Sequence, residues 1–303
     1  MHNHWLIGID LGGTKTEVIL LDAHSNEHFR KRVPTPVGDY PATLQSIQAL
    51  VLDAEAHAGV SGIAVGIGIP GSVSRKTGCI KNGNSTWING QPMQLHLQER
   101  LQRPVTLTND ANCLALSEAT DGAGEHHHNV FAAILGTGCG AGSSIKGNLL
   151  TGPNGVAGEW GHNPLPWTAD SEHQQRPCFC GRAGCNETFL SGTGLSLTHH
   201  LRTGQQQTAH TITENARQGD AQARQSLDHY LDHLARGLAG VINVLDPDII
   251  VLGGGMSNVE QLYQELPDRL PAYVFGGECD TPVVRAVHGD SSGVRGAAWL
   301  AMA

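Results

Sequence analysis

No apolar stretch in this chain approaches the ~20 residues that a membrane-crossing helix needs, so no membrane span is expected. Runs of like charge are also missing. Charged residues make up 16% and hydrophobic residues 39%, a balance that excludes a disordered chain. Basic residues are scarce, with 19 Lys and Arg against 28 Asp and Glu, a formal net charge of −9. Phosphate backbones need a basic face, so nucleic acid is not expected as the main partner. A sugar or a magnesium-bound nucleotide meets no such objection. The start, Met1-His-Asn-His-Trp5, lacks a basic segment followed by a long apolar one, so no secretory signal is expected. The seven cysteines are an odd number, and Cys79, Cys113, Cys139 and Cys279 are scattered. They read as reduced thiols of a cytoplasmic protein. The 39 glycines fall in short clusters without a repeat, which excludes a collagen-like chain.

A length of 303 residues suggests two domains or one large α/β unit. Apolar runs at Leu6 to Leu11 and Thr16 to Leu21 flank Asp10-Leu-Gly-Gly-Thr-Lys15 and predict a β-hairpin with a glycine turn. Leu44, Ile47, Val51 and Ala54 follow at helical spacing. Strands are predicted at Ile63 to Ile69 and Val105 to Leu107, and a helix at Ala111 to Ala119. The pattern then restarts: a strand from Val130 to Leu135, the turn Gly136-Thr-Gly-Cys-Gly-Ala-Gly142, and a strand from Ser143 to Lys146. This echo of the first hairpin suggests two similar halves. Helices are predicted near Phe189 to Leu201 and Ala221 to Leu245. The second carries an apolar stripe of Leu227, Leu231, Leu234, Leu238, Val241 and Leu245, either core or dimer surface. A strand from Asp248 to Leu252 ends in Gly253-Gly-Gly255, and a last helix spans Val294 to Met302. Alternating strands and helices imply an α/β fold, with halves meeting at a cleft near Ala119 to Gly124.

Chemistry concentrates in the middle of the chain. Cys178, Cys180 and Cys185 lie within eight residues, and His162 precedes them in Glu159-Trp-Gly-His162. Three thiolates and an imidazole make a closed tetrahedral set for structural Zn2+, with no open position for catalysis. Asp10, Gly12, Gly13, Thr14 and Lys15 form a turn between two strands. That arrangement matches neither a dinucleotide fingerprint nor a P-loop. Such a turn can offer N–H groups and the Thr14 hydroxyl to phosphate, with Asp10 holding Mg2+ through water; it can also be an ordinary hairpin turn. Gly136, Thr137 and Gly138 repeat the theme. Gly253, Gly254 and Gly255 suit close approach of a base or ribose. Asn109-Asp110 opens a helix, where Asp110 is either a general base or a plain cap.

Together these motifs resemble the ROK family (repressors, open reading frames, kinases). The resemblance spans essentially the whole chain. It rests on Asp10 to Lys15, Gly68-Ile-Pro-Gly71, Asn109-Asp110-Ala-Asn112, Gly136-Thr-Gly138, Glu159-Trp-Gly-His162, Cys178 to Glu187 and Gly253 to Gly255. Asn82 to Gly90 and Ala157 to Pro166 look most like the bacterial fructokinase (manno-fructokinase) branch, with N-acetylglucosamine kinase a near relative. The resemblance implies a two-domain actin/hexokinase-like (ribonuclease H-like) α/β fold with the site in a cleft between domains. The expected domains are residues 1–119 plus 290–303, and 120–289. It implies ATP-dependent phosphorylation of a hexose, often at the 6-hydroxyl, with Asp110 as base. Gly71, Asn84, Asn109, Glu159, His162 and Glu187 would bind the sugar, His162 serving both zinc and sugar. Asn84, Ser85 and Trp87 are candidates for selectivity, Trp87 being equally readable as core packing. ATP, Mg2+ and structural Zn2+ are the expected cofactors, and a homodimer the expected assembly. D-Fructose is the expected substrate, with N-acetylglucosamine, glucose and mannose as alternatives. A sugar-sensing repressor of the same family is disfavoured. Such repressors carry a helix-turn-helix ahead of the first glycine turn, which here begins at Asp10.

Overall fold

Apolar runs become the buried strands of two sheets in a computed structural model that describes residues 5–168, 172, 173, 175–289 and 292–302. Met1 to His4 of the expected signal-free start lie outside the described residues, as do Asp290 and Ser291 of the approach to the last helix. Two compact units are distinct: residues 1–125, 142–157 and 290–303 form one, and residues 126–141 and 158–289 the other.

In the first unit, β1 (Leu6–Leu11), β2 (Lys15–Leu21) and β3 (Glu27–Pro34) form an antiparallel meander. The helix α1 (Tyr40–Ala58) crosses to β4 (Val65–Ile69), which pairs parallel with β1. Asp39 caps α1, its carboxylate accepting from Ala42 N at 2.9 Å, and Gly59 ends it at φ 69°. Its Leu44, Ile47, Leu50, Val51 and Ala54 pack on the sheet. The short strands β5 (Ser72–Val73) and β6 (Ile80–Lys81) pair with each other. The helix α2 (Met93–Leu101) leads to β7 (Val105–Asn109), parallel to β4, and then to α3 (Asp110–Asp121). The sheet order is β3-β2-β1-β4-β7.

The second sheet repeats that order. It is built from β8 (Asn129–Leu135), β9 (Cys139–Ile145), β10 (Asn148–Leu149), β11 (Ile249–Gly253) and β12 (Val283–Arg285), arranged β10-β9-β8-β11-β12. The echo between the two glycine hairpins is therefore a repeat of whole-sheet topology. Between β10 and β11 come α4 (Glu187–Leu190), α5 (Gly192–Thr203), α6 (Ala209–Arg217) and α7 (Ala221–Leu245); α8 (Gln261–Arg269) follows β11, and α9 (Ser292–Leu300) follows β12.

Several expectations are corrected. The helix expected over Phe189 to Leu201 is two helices, because Ser191 is extended and its hydroxyl accepts from Gly194 N at 3.0 Å as a new cap. The segment after Gly253 is a single 3-10 turn, Gly255–Asn258. The stripe on α7 is core: Leu227, Leu231, Leu234 and Leu238 are fully buried, and Val241 and Leu245 pack against them. Among the described residues no helix is long and apolar enough to cross a membrane.

One contact is unusually close. The helix α9 lies directly on β1, β4 and α3. A β-carbon added to Gly66 would stand 1.9 Å from Ala297 O, and one on Gly8 2.2 Å from Val294 O. A β-carbon on Gly296 would stand 1.8 Å from Cys113 O. Only bare backbone fits such a seam.

Candidate active site

The first unit carries nine of the sequence-predicted positions: Asp10, Gly12, Gly13, Thr14, Lys15, Gly71, Asn84, Asn109 and Asp110. Gly12 N donates to Lys15 O at 2.9 Å, closing the first turn. Thr35, unremarked in the sequence, holds that turn from β3's end. Its N–H donates to Thr14 O at 2.9 Å and its hydroxyl to Gly12 O at 2.9 Å. Asp10 sits in the middle of a row across the sheet, opposite Glu17 on one side and Gly68 on the other. Glu17 is buried between Arg30 and Arg32, which donate to its two oxygens. The start of α9 also approaches Asp10, for a β-carbon on Gly293 would lie 3.4 Å from Oδ2. Burial first, then the Asp110 and Glu17 charges, push the Asp10 carboxyl up to about 7 against the pull of Arg32.

That shift has a testable sign. A carboxyl raised in the fold stabilises the protein below its unfolded value near 3.8, and the contribution is lost as pH rises through about 7. Asp10→Asn is therefore expected to raise the melting temperature of the metal-free protein by several degrees at pH 8. The gain should vanish near pH 4. Equal melting temperatures at pH 8 would refute the strained carboxylate.

Asn109 is the N-cap of α3, its Oδ1 accepting from Asn112 N at 2.8 Å. Asp110 is the first residue of the helix, and its Oδ1 accepts from Ala111 N at 2.8 Å. It is exposed to solvent. The cap role falls to Asn109. Gly71 takes φ 87°, and a β-carbon there would meet Lys81 O at 2.5 Å. Asn89 braces the adjoining loop, accepting from Gly83 N at 2.9 Å and donating to Gly83 O at 2.8 Å. Asn84 is exposed and Ser85 buried. The Trp87 indole donates to Thr43 Oγ1 at 3.2 Å and packs on the core. Its place is that of a packing residue.

In the second unit, Gly136, Thr137 and Gly255 line one cavity of about 1330 Å3 with Thr193, Thr208 and His210. Gly138, Gly253 and Gly254 do not line it. Gly138 instead abuts Glu187, where a β-carbon would stand 2.7 Å from Oε2. That same oxygen accepts from Cys139 N at 3.0 Å. Glu187 thus ties the second glycine turn to the cysteine loop, a link absent from any local motif. Gly161, in the 3-10 turn Glu159–His162, packs on Cys139 so tightly that a β-carbon would stand 1.9 Å from its carbonyl oxygen. Glu159 and His162 are both partly exposed on that turn.

His162, Cys178, Cys180 and Cys185 converge, their donor atoms all within 4.8 Å of one another. Cys178 Sγ lies 3.6 Å from His162 Nδ1, and Cys180 Sγ 3.6 Å from Cys185 Sγ. Zinc bonds of ~2.3 Å to sulfur and ~2.0 Å to nitrogen give tetrahedral edges of about 3.8 and 3.5 Å. The donor set fits zinc. Burial pushes the Cys185 thiol up to about 12, so a cation is needed to hold the thiolate there. Nδ1 faces the sulfurs, which leaves Nε2 of His162 for another partner. The buried Arg176, also missed in the sequence, anchors the loop to α4 and α5. It donates to Thr188 O at 2.6 Å and Thr198 Oγ1 at 2.8 Å, with its guanidinium 4.0 Å from the Phe189 ring centroid.

Comparison with known proteins finds relatives that match nearly the whole chain. N-Acetyl-D-glucosamine kinase of Pectobacterium atrosepticum is 40% identical over 297 residues, 97% of each chain. That of Yersinia pseudotuberculosis serotype O:3 is 40% identical over 300 residues, 98% of each chain. Among solved structures, the ROK hexokinase of Thermus thermophilus has a TM-score of 0.88 at 30% identity, covering 98% of both chains. A ROK family glucokinase from Streptomyces griseus, in complex with glucose and AMPPNP, has a TM-score of 0.79 at 29% identity, covering 98% of this chain and 99% of that one. The fold is the two-domain actin/hexokinase-like α/β fold of these enzymes. With the ROK family model matching residues 6–303, the chain belongs to the ROK family.

Proposed function

We propose that the chain is an ATP-dependent hexose kinase whose substrate is N-acetyl-D-glucosamine. The observation that carries this reading is the full-length 40% identity to N-acetyl-D-glucosamine kinases, combined with an exposed Asp110 beside a capping Asn109. The fructose expected from the sequence gives way to the sugar in those relatives' names. A second reading, D-fructose, is kept for one reason: the braced Asn82–Gly90 loop, with Asn84 exposed, resembles the fructokinase branch. Substrate choice rests on a few such loop contacts rather than on the fold.

In the proposed reaction Asp110 takes the proton of the sugar hydroxyl as its oxygen attacks the γ-phosphorus. The bond from that phosphorus to the bridging oxygen breaks, and ADP leaves. Asp10 would hold the magnesium of the nucleotide, and that ion, when bound, neutralises phosphate charge. Backbone N–H groups of Gly13 and Gly138 and the hydroxyls of Thr14 and Thr137 aid it, while the N–H groups of Gly12 and Gly136 close their own turns on Lys15 O and Gly138 O. The 1330 Å3 cavity takes the nucleoside end. Glu159, His162 and the free Glu187 oxygen bind sugar hydroxyls, and zinc, when bound, fixes the loop that carries them.

The test is ADP release, measured as kcat/KM over N-acetylglucosamine, fructose, mannose and glucose. N-Acetylglucosamine is expected to lead by about tenfold or more. A fructose preference of that size would reverse the substrate assignment, and no turnover with any of the four would sink the kinase reading.

A further inference from the structure

A smaller cavity, of about 170 Å3, lies wholly within the first unit beside Asn109. Ser72 and Val73 of β5, Leu107 and Thr108 of β7, Asn112 of α3 and Ala157 line it. Arg75 and Thr151, which also line it, are joined by a 2.9 Å hydrogen bond from the guanidinium to the hydroxyl. Two of the lining residues each carry a buried side-chain oxygen with no hydrogen-bond partner, Asn112 Oδ1 and Ser72 Oγ. Asn112 as a whole is only 8% exposed. Its amide nitrogen is already committed, donating to Thr108 Oγ1 at 3.0 Å. That bond fixes which way the amide points, so the unpaired group is an acceptor. An unmet buried acceptor is costly, and such atoms in native proteins have a use.

We propose that this cavity is a specificity subsite that receives an exocyclic hydrogen-bond donor of the sugar, with Asn112 Oδ1 and Ser72 Oγ as its partners. The inference rests on the sugar-kinase reading, which puts a hydroxyl of the substrate at Asp110, two residues before Asn112. An acceptor and a hydroxyl side by side suit a group carrying an N–H or O–H. The acetamido group of an N-acetylhexose supplies one, and the hydroxymethyl group at C1 of a ketohexose supplies the other. The volume exceeds what a single water needs, about 30 Å3, several-fold. A site built to pair such a donor discriminates strongly against the analogue that lacks it.

Two sugar pairs differ only at this group or nearly so: N-acetylglucosamine with 2-deoxyglucose, and fructose with 1-deoxyfructose. The quantity read is the ratio of kcat/KM within each pair. The wild type is expected to favour the donor-bearing member of one pair, and the pair identifies the source of the donor. Ser72→Ala and Asn112→Leu should lower that ratio by about tenfold or more. Ala157→Leu keeps both polar groups but fills the space, and should lower the ratio similarly. Ser72→Ala and Ala157→Leu keep the test open if Asn112→Leu does not fold. Variants that lower both members of a pair alike, or a wild type indifferent within both pairs, overturn the subsite alone. A wild type that phosphorylates none of the four sugars overturns the kinase reading and the subsite with it.

Discussion

Asp110→Asn is expected to lower kcat by ~10²–10⁴-fold, the range that a positioned general base supplies, while ATP binding stays unchanged. The amide keeps the size of the carboxylate and its bond from Ala111 N, so α3 should start as before. What it loses is the ability to take a proton. Two measurements separate the effects: turnover with the preferred sugar, and nucleotide affinity by titration. Turnover within threefold of wild type would remove Asp110 from the mechanism. Weakened ATP binding would instead mean that the residue serves the metal-nucleotide complex. Asn109→Ala provides the contrast. It removes the cap, at a cost of about 1 kcal/mol in stability, and leaves the base in place.

The second large effect is expected at the metal. Cys180 is exposed, unlike Cys178 and Cys185, so Cys180→Ser disturbs no packed core. Its consequences therefore report on the ion. Bound zinc should fall from about one per chain to none, and the melting temperature should drop, because binding energy of a structural zinc is folding energy. Sugar turnover should fall with it, since Glu187 and His162 are held by the loop. Nucleotide affinity should survive, because none of the zinc residues lines the 1330 Å3 cavity. A zinc-free, folded variant with full activity would refute the role given to the metal.

The residues that announced themselves in the sequence did so by local density. Three cysteines in eight positions, two glycine turns and an Asn-Asp pair carry their chemistry within a few residues. Strands such as Val65–Ile69 are legible because they are buried on both faces and read as continuous apolar runs. The strand Glu27–Pro34 is not, because it is a polar edge. Its exposed charged residues give no apolar run, and its identity comes only from pairing with Lys15–Leu21. Thr35, Arg176 and the Glu187 to Cys139 bond were hidden for a related reason. Each acts on a partner 12 or more residues away, and no spacing rule reaches that far. The choice among sugars lies at a finer level still, where whole-chain motifs shared by kinases of different sugars outweigh the handful of loop positions that distinguish them.

The glycine seam beneath the C-terminal helix has a bearing on how the protein is made. Strands Leu6–Leu11 and Val65–Ile69 emerge from the ribosome early, with Gly8 and Gly66 as the floor of an open slot. The helix that fills it, Ser292–Leu300, begins 223 residues after Ile69 (292 − 69). The fit leaves no room for a side chain at Gly8 or Gly66. The first unit, though begun first, is thus the last to close, and its nascent form waits with an exposed apolar trough while the intervening residues 158–289 are synthesised. Dependence on a chaperone during translation should concentrate on this half of the molecule.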